Sequence, residues 1–131
     1  MKKHKRVLTY GTFDLFHYGH LNILHNVSKL ADEMVVGLST DEFNKLKGKK
    51  SFHSYAERKN HLEHLVFVDI IIPENTWEQK IEDIKKYKCD LFVMGDDWQG
   101  KFDFLNEYCE VLYLPRTENI SSTTFKKFLG I

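Results

Sequence analysis

His17 and His20 stand three residues apart with Gly19 between them, inside the stretch Thr9-Tyr10-Gly11-Thr12-Phe13-Asp14-Leu15-Phe16-His17-Tyr18-Gly19-His20-Leu21. The stretch leaves an apolar run and enters an amphipathic one, so it reads as strand, tight turn and helix start. At that spacing both imidazoles project from one side of the first helical turn. A helix start offers unpaired N–H groups and the positive end of the dipole, which draw an anion. Gly19 removes a side chain where a phosphate must approach closely. Each ring can donate an N–H to a phosphoryl oxygen, and both donors gain strength as charge builds at a phosphorus under attack. No covalent intermediate is required. Two histidines so spaced also suit an ordinary strand–helix connection with surface rings. Gly11-Thr12-Phe13-Asp14 upstream and the strand-to-helix context favour the chemistry. Neither GxGxxG nor GxxxxGK[ST] is present, which turns the reading away from dehydrogenases and P-loop kinases.

The chain that must position these rings has 131 residues, as expected of one domain over 1–131 with a core that needs no staples. Its 19 basic and 19 acidic residues balance. Zero net charge argues against a general nucleic-acid binder but leaves room for a local basic pocket. Cys89 and Cys109 form no CxxC pattern, and each precedes a strand. They read as structural, reduced thiols of a cytoplasmic protein. The basic start Met1-Lys2-Lys3-His4-Lys5-Arg6 is followed only by a strand-length apolar run, unlike a signal peptide. No apolar stretch is long enough to span a bilayer, so no membrane insertion is expected.

Apolar or β-branched runs at 6–10, 34–38, 68–72, 91–94 and 111–114 lack strict alternation, as strands covered on both faces do. Pro73 is expected to end the third. Helices are expected over 18–30, from a Ser39-Thr40-Asp41-Glu42 cap through 43, from a Ser54/Glu57 capping box to about 65, from a Thr76/Gln79 capping box to about 87, and from Ser121-Ser122-Thr123-Thr124 to near 130. A loop with Phe102 and Phe104 carries a helical turn. The alternation predicts an α/β, Rossmann-like five-stranded parallel sheet with helices on both faces.

Ligands of such sheets bind beyond the strand C-termini. The lysine run 45–50 follows the second strand and is either a solvated loop or a phosphate contact. Asp96 and Asp97 follow the fourth, as an Asx-type turn or as ligand groups. Trp77 and Trp98 are core or rim aromatics, or a stacking surface. Arg58 can pair on the surface with Glu57 or Glu63. Arg116 follows Leu114-Pro115 at a strand end, where an arginine has little structural purpose. Ser121 to Thr124 serve equally as caps and as phosphate donors. His61 and His64 suit a surface or dimer face better than zinc.

Gly11-Thr12-Phe13-Asp14 with His17-Tyr18-Gly19-His20, and later Arg116-Thr117-Glu118-Asn119-Ile120-Ser121-Ser122-Thr123, resemble the nucleotidyltransferase superfamily of the HxGH signature. Within it the chain resembles the bacterial glycerol-3-phosphate cytidylyltransferases. Ser39-Thr40-Asp41-Glu42-Phe43-Asn44, Trp77-Glu78-Gln79-Lys80, Phe92-Val93-Met94-Gly95-Asp96-Asp97-Trp98 and Gly100-Lys101-Phe102-Asp103-Phe104-Leu105 extend the likeness over nearly the whole chain.

The resemblance implies that CTP and sn-glycerol 3-phosphate give CDP-glycerol and pyrophosphate, for a teichoic-acid or capsule-type polymer. It implies catalytic roles for His17, His20, Lys47 and Arg116. Nucleotide contacts would come from Thr12, Phe13, the two histidines, Lys49, Asp97 and the run Arg116, Thr117, Glu118, Asn119, Ile120, Ser121, Ser122 and Thr123. Substrate contacts would come from Lys47, Lys80, Asp41, Arg58 and Trp77. It further implies Mg2+ held mainly by the CTP phosphates, no protein-held metal, and a homodimer. Two positions depart from the pattern. Asn119 replaces a glycine, and Asn tolerates left-handed backbone. Val66 stands where an arginine is usual. The rival readings are the same chemistry on another alcohol or sugar phosphate, or with ATP, and a non-catalytic nucleotide-binding module.

Overall fold

The computed structural model describes residues 4–115. In order they form β1 (His4–Gly11), α1 (Tyr18–Ser28), β2 (Ala31–Ser39), α2 (Asp41–Leu46), α3 (Tyr55–Glu63), β3 (Ile70–Glu74), α4 (Lys80–Lys86), β4 (Leu91–Gly95) and β5 (Glu110–Leu114). Two short 3-10 segments, Asp96–Trp98 and Asp103–Glu107, lie between β4 and β5. The five strands pair in parallel in the order β3-β2-β1-β4-β5. The chain therefore winds outward from β1 to β3, then returns to add β4 on the other side of β1. That reversal opens a crevice beyond Gly11 and Gly95, where open α/β sheets bind ligands.

Successive strand residues point to opposite faces, which sorts the core into two halves. Val7, Met34, Val36, Leu91 and Val93 pack with Leu24 and Val27 of α1 and Leu62 of α3. Leu8, Val35, Ile72 and Phe92 pack with Ile84 of α4 and with Phe102 and Leu105 of the 3-10 region. Helices thus cover both faces, as the sequence predicts.

Three local expectations are corrected. β3 does not stop before Pro73 but runs through it to Glu74. β3 is an edge strand, and a missing N–H is tolerated there. The Thr76/Gln79 pair does not open α4. Gln79 Oε1 accepts from the Asn75 and Thr76 amides at 2.6 and 3.0 Å, and Nε2 donates to the Pro73 carbonyl at 2.9 Å. This side chain closes a turn against the strand end, so the helix begins only at Lys80. The short second helix runs past Phe43 to Leu46. The Ser54/Glu57 capping box forms as expected. The last helix falls outside the described residues.

Gly37 explains the one gap in the apolar run of β2. Its strand partner is Tyr10. A Cβ at position 37 would stand 2.2 Å from the Tyr10 ring. That ring is buried, and its hydroxyl donates to Asp83 Oδ2 at 2.6 Å, so it cannot swing away. Burial, then Asp83, pushes the phenol pKa far above its ordinary value. Gly37→Ala should therefore lower stability by about 1–3 kcal/mol, the scale of overpacking a filled core. Urea unfolding would show a lower midpoint at unchanged slope.

Candidate active site

The turn after β1 is built from backbone that most side chains avoid. Phe13 and Leu15 have φ of 51° and 46°. Each bulky residue in that region costs about 1–3 kcal/mol, so the surroundings must impose it. Both side chains are buried. Between them, Asp14 accepts from the Leu15 amide at 3.1 Å, the Phe52 amide at 2.7 Å and the His53 amide at 3.0 Å. One carboxylate thus ties the first turn to the far end of the lysine loop. Gly11 is needed because the Phe13 ring folds back within 2.7 Å of where a Cβ would be.

This turn delivers His17 as the N-cap of α1. Its Nδ1 accepts from the Gly19 amide at 3.0 Å, and His20 Nδ1 accepts from the His17 amide at 3.4 Å. The pair forms a capping box made of two imidazoles. With Nδ1 accepting on each ring, the neutral tautomer carries its proton on Nε2. The rings stack at 3.9 Å between centroids and 18° between planes. Phe13 and Phe16 each lie 5.5 Å from the His20 ring. Helix capping therefore leaves the Nε2–H on each of two stacked rings.

A second anchor lies beneath. Arg58 is fully buried. Its guanidinium donates to the carbonyls of Thr12 at 3.0 Å, Ser39 at 2.7 Å and His53 at 3.1 Å, and to Asp41 Oδ1 at 2.8 Å. The surface pairing with Glu57 or Glu63, the sequence's alternative for this side chain, does not form. Asp41 and Arg58, both expected at the substrate, are bonded to each other. Asn44, also buried, joins the same frame through Thr12 Oγ1, Ser51 Oγ and the Lys49 amide.

At the switch point opens a cavity of about 330 Å³. Lys47, Lys49 and Lys80 supply its charge, and Tyr10, Trp77, Trp98 and Phe102 its aromatic walls. Gly11 and Thr12, where the turn after β1 begins, line it as well. Lys80 Nζ lies 3.2 Å from Glu74 Oε2 and 4.7 to 5.3 Å from the ring centres of Tyr10, Trp77 and Phe102. Lys47 Nζ lies 4.7 Å from the Phe43 ring centre and 5.7 Å from that of Trp77. Burial lowers the Lys47 pKa to about 8; Glu74 opposes the fall, and Lys49, Lys80 and Arg58 add to it. Such a pocket suits a small phosphorylated alcohol: cations for the phosphate, ring faces for a short carbon skeleton.

Of the residues singled out in the sequence, Thr12, Lys47, Lys49, Trp77 and Lys80 meet at this cavity, while His17 and His20 stand at the start of α1, at the far end of the turn that Thr12 begins. Phe13 is buried against His20. Asp97 sits in the one-turn 3-10 segment after β4. Arg116 to Thr123 lie outside the described residues. Cys89 and Cys109 stay away from the chemistry, their thiols pushed by burial up to about 12 and about 11. The sequence did not point to Glu74, Asn44 or the bridging role of Asp14. An acid directly after Pro73, at a strand end facing basic residues, was the available sign for Glu74.

A cytidylyltransferase-like family model matches residues 8–128. A glycerol-3-phosphate cytidylyltransferase of Bacillus spizizenii is 63% identical over 94% of this chain and 95% of its own length. One of Staphylococcus aureus is 54% identical over 95% of each. A lipopolysaccharide core biosynthesis protein of Thermoplasma volcanium shares the fold, with a TM-score of 0.73 at 24% identity over 88% of this chain and 99% of its own.

Arg58→Ala would leave three carbonyls and Asp41 without their donor. We expect a stability loss of about 3 kcal/mol, the lower end for breaking a buried ion pair because Asp41 still reaches water. Thermal and urea unfolding would measure it, and Arg58→Lys should rescue little, since an ammonium cannot span four acceptors.

Proposed function

The chain belongs to the cytidylyltransferase-like family, and from that membership we propose that it transfers CMP from CTP to sn-glycerol 3-phosphate, giving CDP-glycerol and pyrophosphate. The observation that carries this reading is the lysine-and-aromatic cavity at the switch point, lined by Gly11 and Thr12 of the same turn that ends in two stacked imidazoles. The relatives' names supply the substrates.

In this reading the acceptor's phosphate oxygen attacks the α-phosphorus of CTP in line. A new P–O bond forms there as the bond to the β-phosphate bridge breaks, and pyrophosphate leaves with the electron pair. The attacking phosphate is already anionic, so no general base is needed. His17 and His20 donate from Nε2 to the α-phosphate oxygens as charge accumulates. Lys80 and Lys47 hold the acceptor phosphate, Lys49 meets the triphosphate, and Arg116 with the stretch to Thr123 binds the nucleotide. Mg2+ bound to the triphosphate would offset its charge. Among the described residues lining the cavity the one carboxylate, Glu74, is already bonded to Lys80 and Ser39, so these side chains fit an ion carried by the phosphates. The product would feed a teichoic-acid or capsule-type polymer from the cytoplasm.

We also infer a homodimer. The support is Val66, Phe52 and Tyr18, apolar side chains 94%, 57% and 64% exposed, which a second copy would cover. Light scattering should give about twice the 15.6 kDa of one chain; a monomer at assay concentration would overturn this.

Pyrophosphate release with CTP or ATP and a panel of alcohol and sugar phosphates tests the substrate assignment. Turnover only with another acceptor, or CTP binding without pyrophosphate, would replace it. His17→Asn keeps an N-cap acceptor but removes the Nε2 donor. It should hold the wild-type melting temperature while kcat falls about 10²–10³-fold, the scale of losing one transition-state donor. His20→Ala should lose kcat similarly.

A further inference from the structure

We propose that Glu74, the last residue of β3, is a positioning residue that fixes both cavity lysines at once, Lys80 directly and Lys47 through the Ser39 hydroxyl. The proposal rests on reading the cavity as the acceptor site. Glu74 Oε2 takes Lys80 Nζ at 3.2 Å. Its Oε1 accepts from Ser39 Oγ at 2.9 Å, and the same Oγ accepts from Lys47 Nζ at 2.9 Å. Ser39 has one hydroxyl proton. Its donation to Glu74 turns a lone pair toward Lys47, so the carboxylate dictates where the second ammonium sits. Ser39, Glu74 and Lys80 are all buried, at 0%, 3% and 2% exposure. In that setting geometry is held tightly and an uncompensated charge is costly.

A carboxylate under an anion site would, by Coulomb's law alone, weaken binding of the anion. Its presence makes sense if the lysines could not otherwise stay charged and in place. Lys47 faces Glu74, Lys49, Lys80 and Arg58, with the Phe43 and Trp77 rings beside it. Glu74 is the single anion in that set, and it is the influence that keeps the Lys47 proton on. The two roles predict opposite outcomes. Neutralising a merely repulsive carboxylate would tighten acceptor binding, whereas neutralising a positioning one loosens it.

Glu74→Gln preserves shape and separates these cases. We expect KM for glycerol 3-phosphate to rise about tenfold, the scale of one charge-assisted hydrogen bond, with a smaller change in KM for CTP. An acceptor KM equal to or below wild type would overturn the proposal. Ser39→Ala cuts only the Lys47 arm, and its backbone carbonyl remains available to Arg58. It should raise the acceptor KM by itself but have no added effect in a Lys47→Ala background, and full additivity there would overturn the relay. It also carries the test if Glu74→Gln fails to fold. A substrate-free measurement separates this proposal from the choice of acceptor: the Lys47 side-chain NMR signals of the free protein, followed against pH. Their midpoint should move acidward in both variants, whichever alcohol phosphate the enzyme uses. An unmoved midpoint in both would overturn the proposal.

Discussion

One guanidinium, wholly withdrawn from water, holds the catalytic end of this sheet together. Arg58 reaches from α3 to the carbonyl after β1, the last carbonyl of β2 and the acid that opens α2. Backbone carbonyls at strand ends have finished their ladder and would otherwise face an apolar interior or water. A planar five-donor group suits this convergence better than any other side chain. The local folds it joins are marginal alone: α2 has 6 residues, and the turn before α1 carries two strained non-glycine residues.

The same logic recurs around the cavity at three positions. Asp14 gathers amides, Arg58 gathers carbonyls, and Glu74 gathers ammonium and hydroxyl groups. Each is a buried charge bonded to partners from separate parts of the chain. Apolar packing fixes distances between layers but is non-directional. Hydrogen-bonded charges fix orientation, which the proposed action of two imidazole N–H groups requires. The rigidity at the strand ends thus comes from polar groups, while the layers behind them are held by Val, Leu, Ile and Phe.

This division explains what was readable in the sequence. The apolar runs, the Ser54/Glu57 box and the histidine pair are encoded within a few residues; each run carries a strand, and the box and the pair form as expected. The parallel sheet followed from their alternation. What could not be read are pairings across the topology: Arg58 with Asp41 across 17 positions, Asp14 with Phe52 across 38, Ser39 with Glu74 across 35. Local spacing even misdirected, since Glu57 and Glu63 are the nearest acids to Arg58 along the helix. The Thr76/Gln79 pattern failed for a similar reason: the glutamine amide found the carbonyl of Pro73, which the strand brings close. The reason for a glycine at position 37 was equally out of reach, since the Tyr10 ring that occupies its missing side chain's place belongs to the neighbouring strand.

Pro73 within β3 has a bearing beyond the fold. Sheets grow by recruiting strands to an open edge, and a chain with no net charge has no colloidal repulsion to keep copies apart. β3 is such an edge. It is 5 residues long and interrupted by a residue with no N–H to offer. The protein's resistance to edge-to-edge growth on that side is written into its hydrogen-bonding pattern, where its charge offers no help.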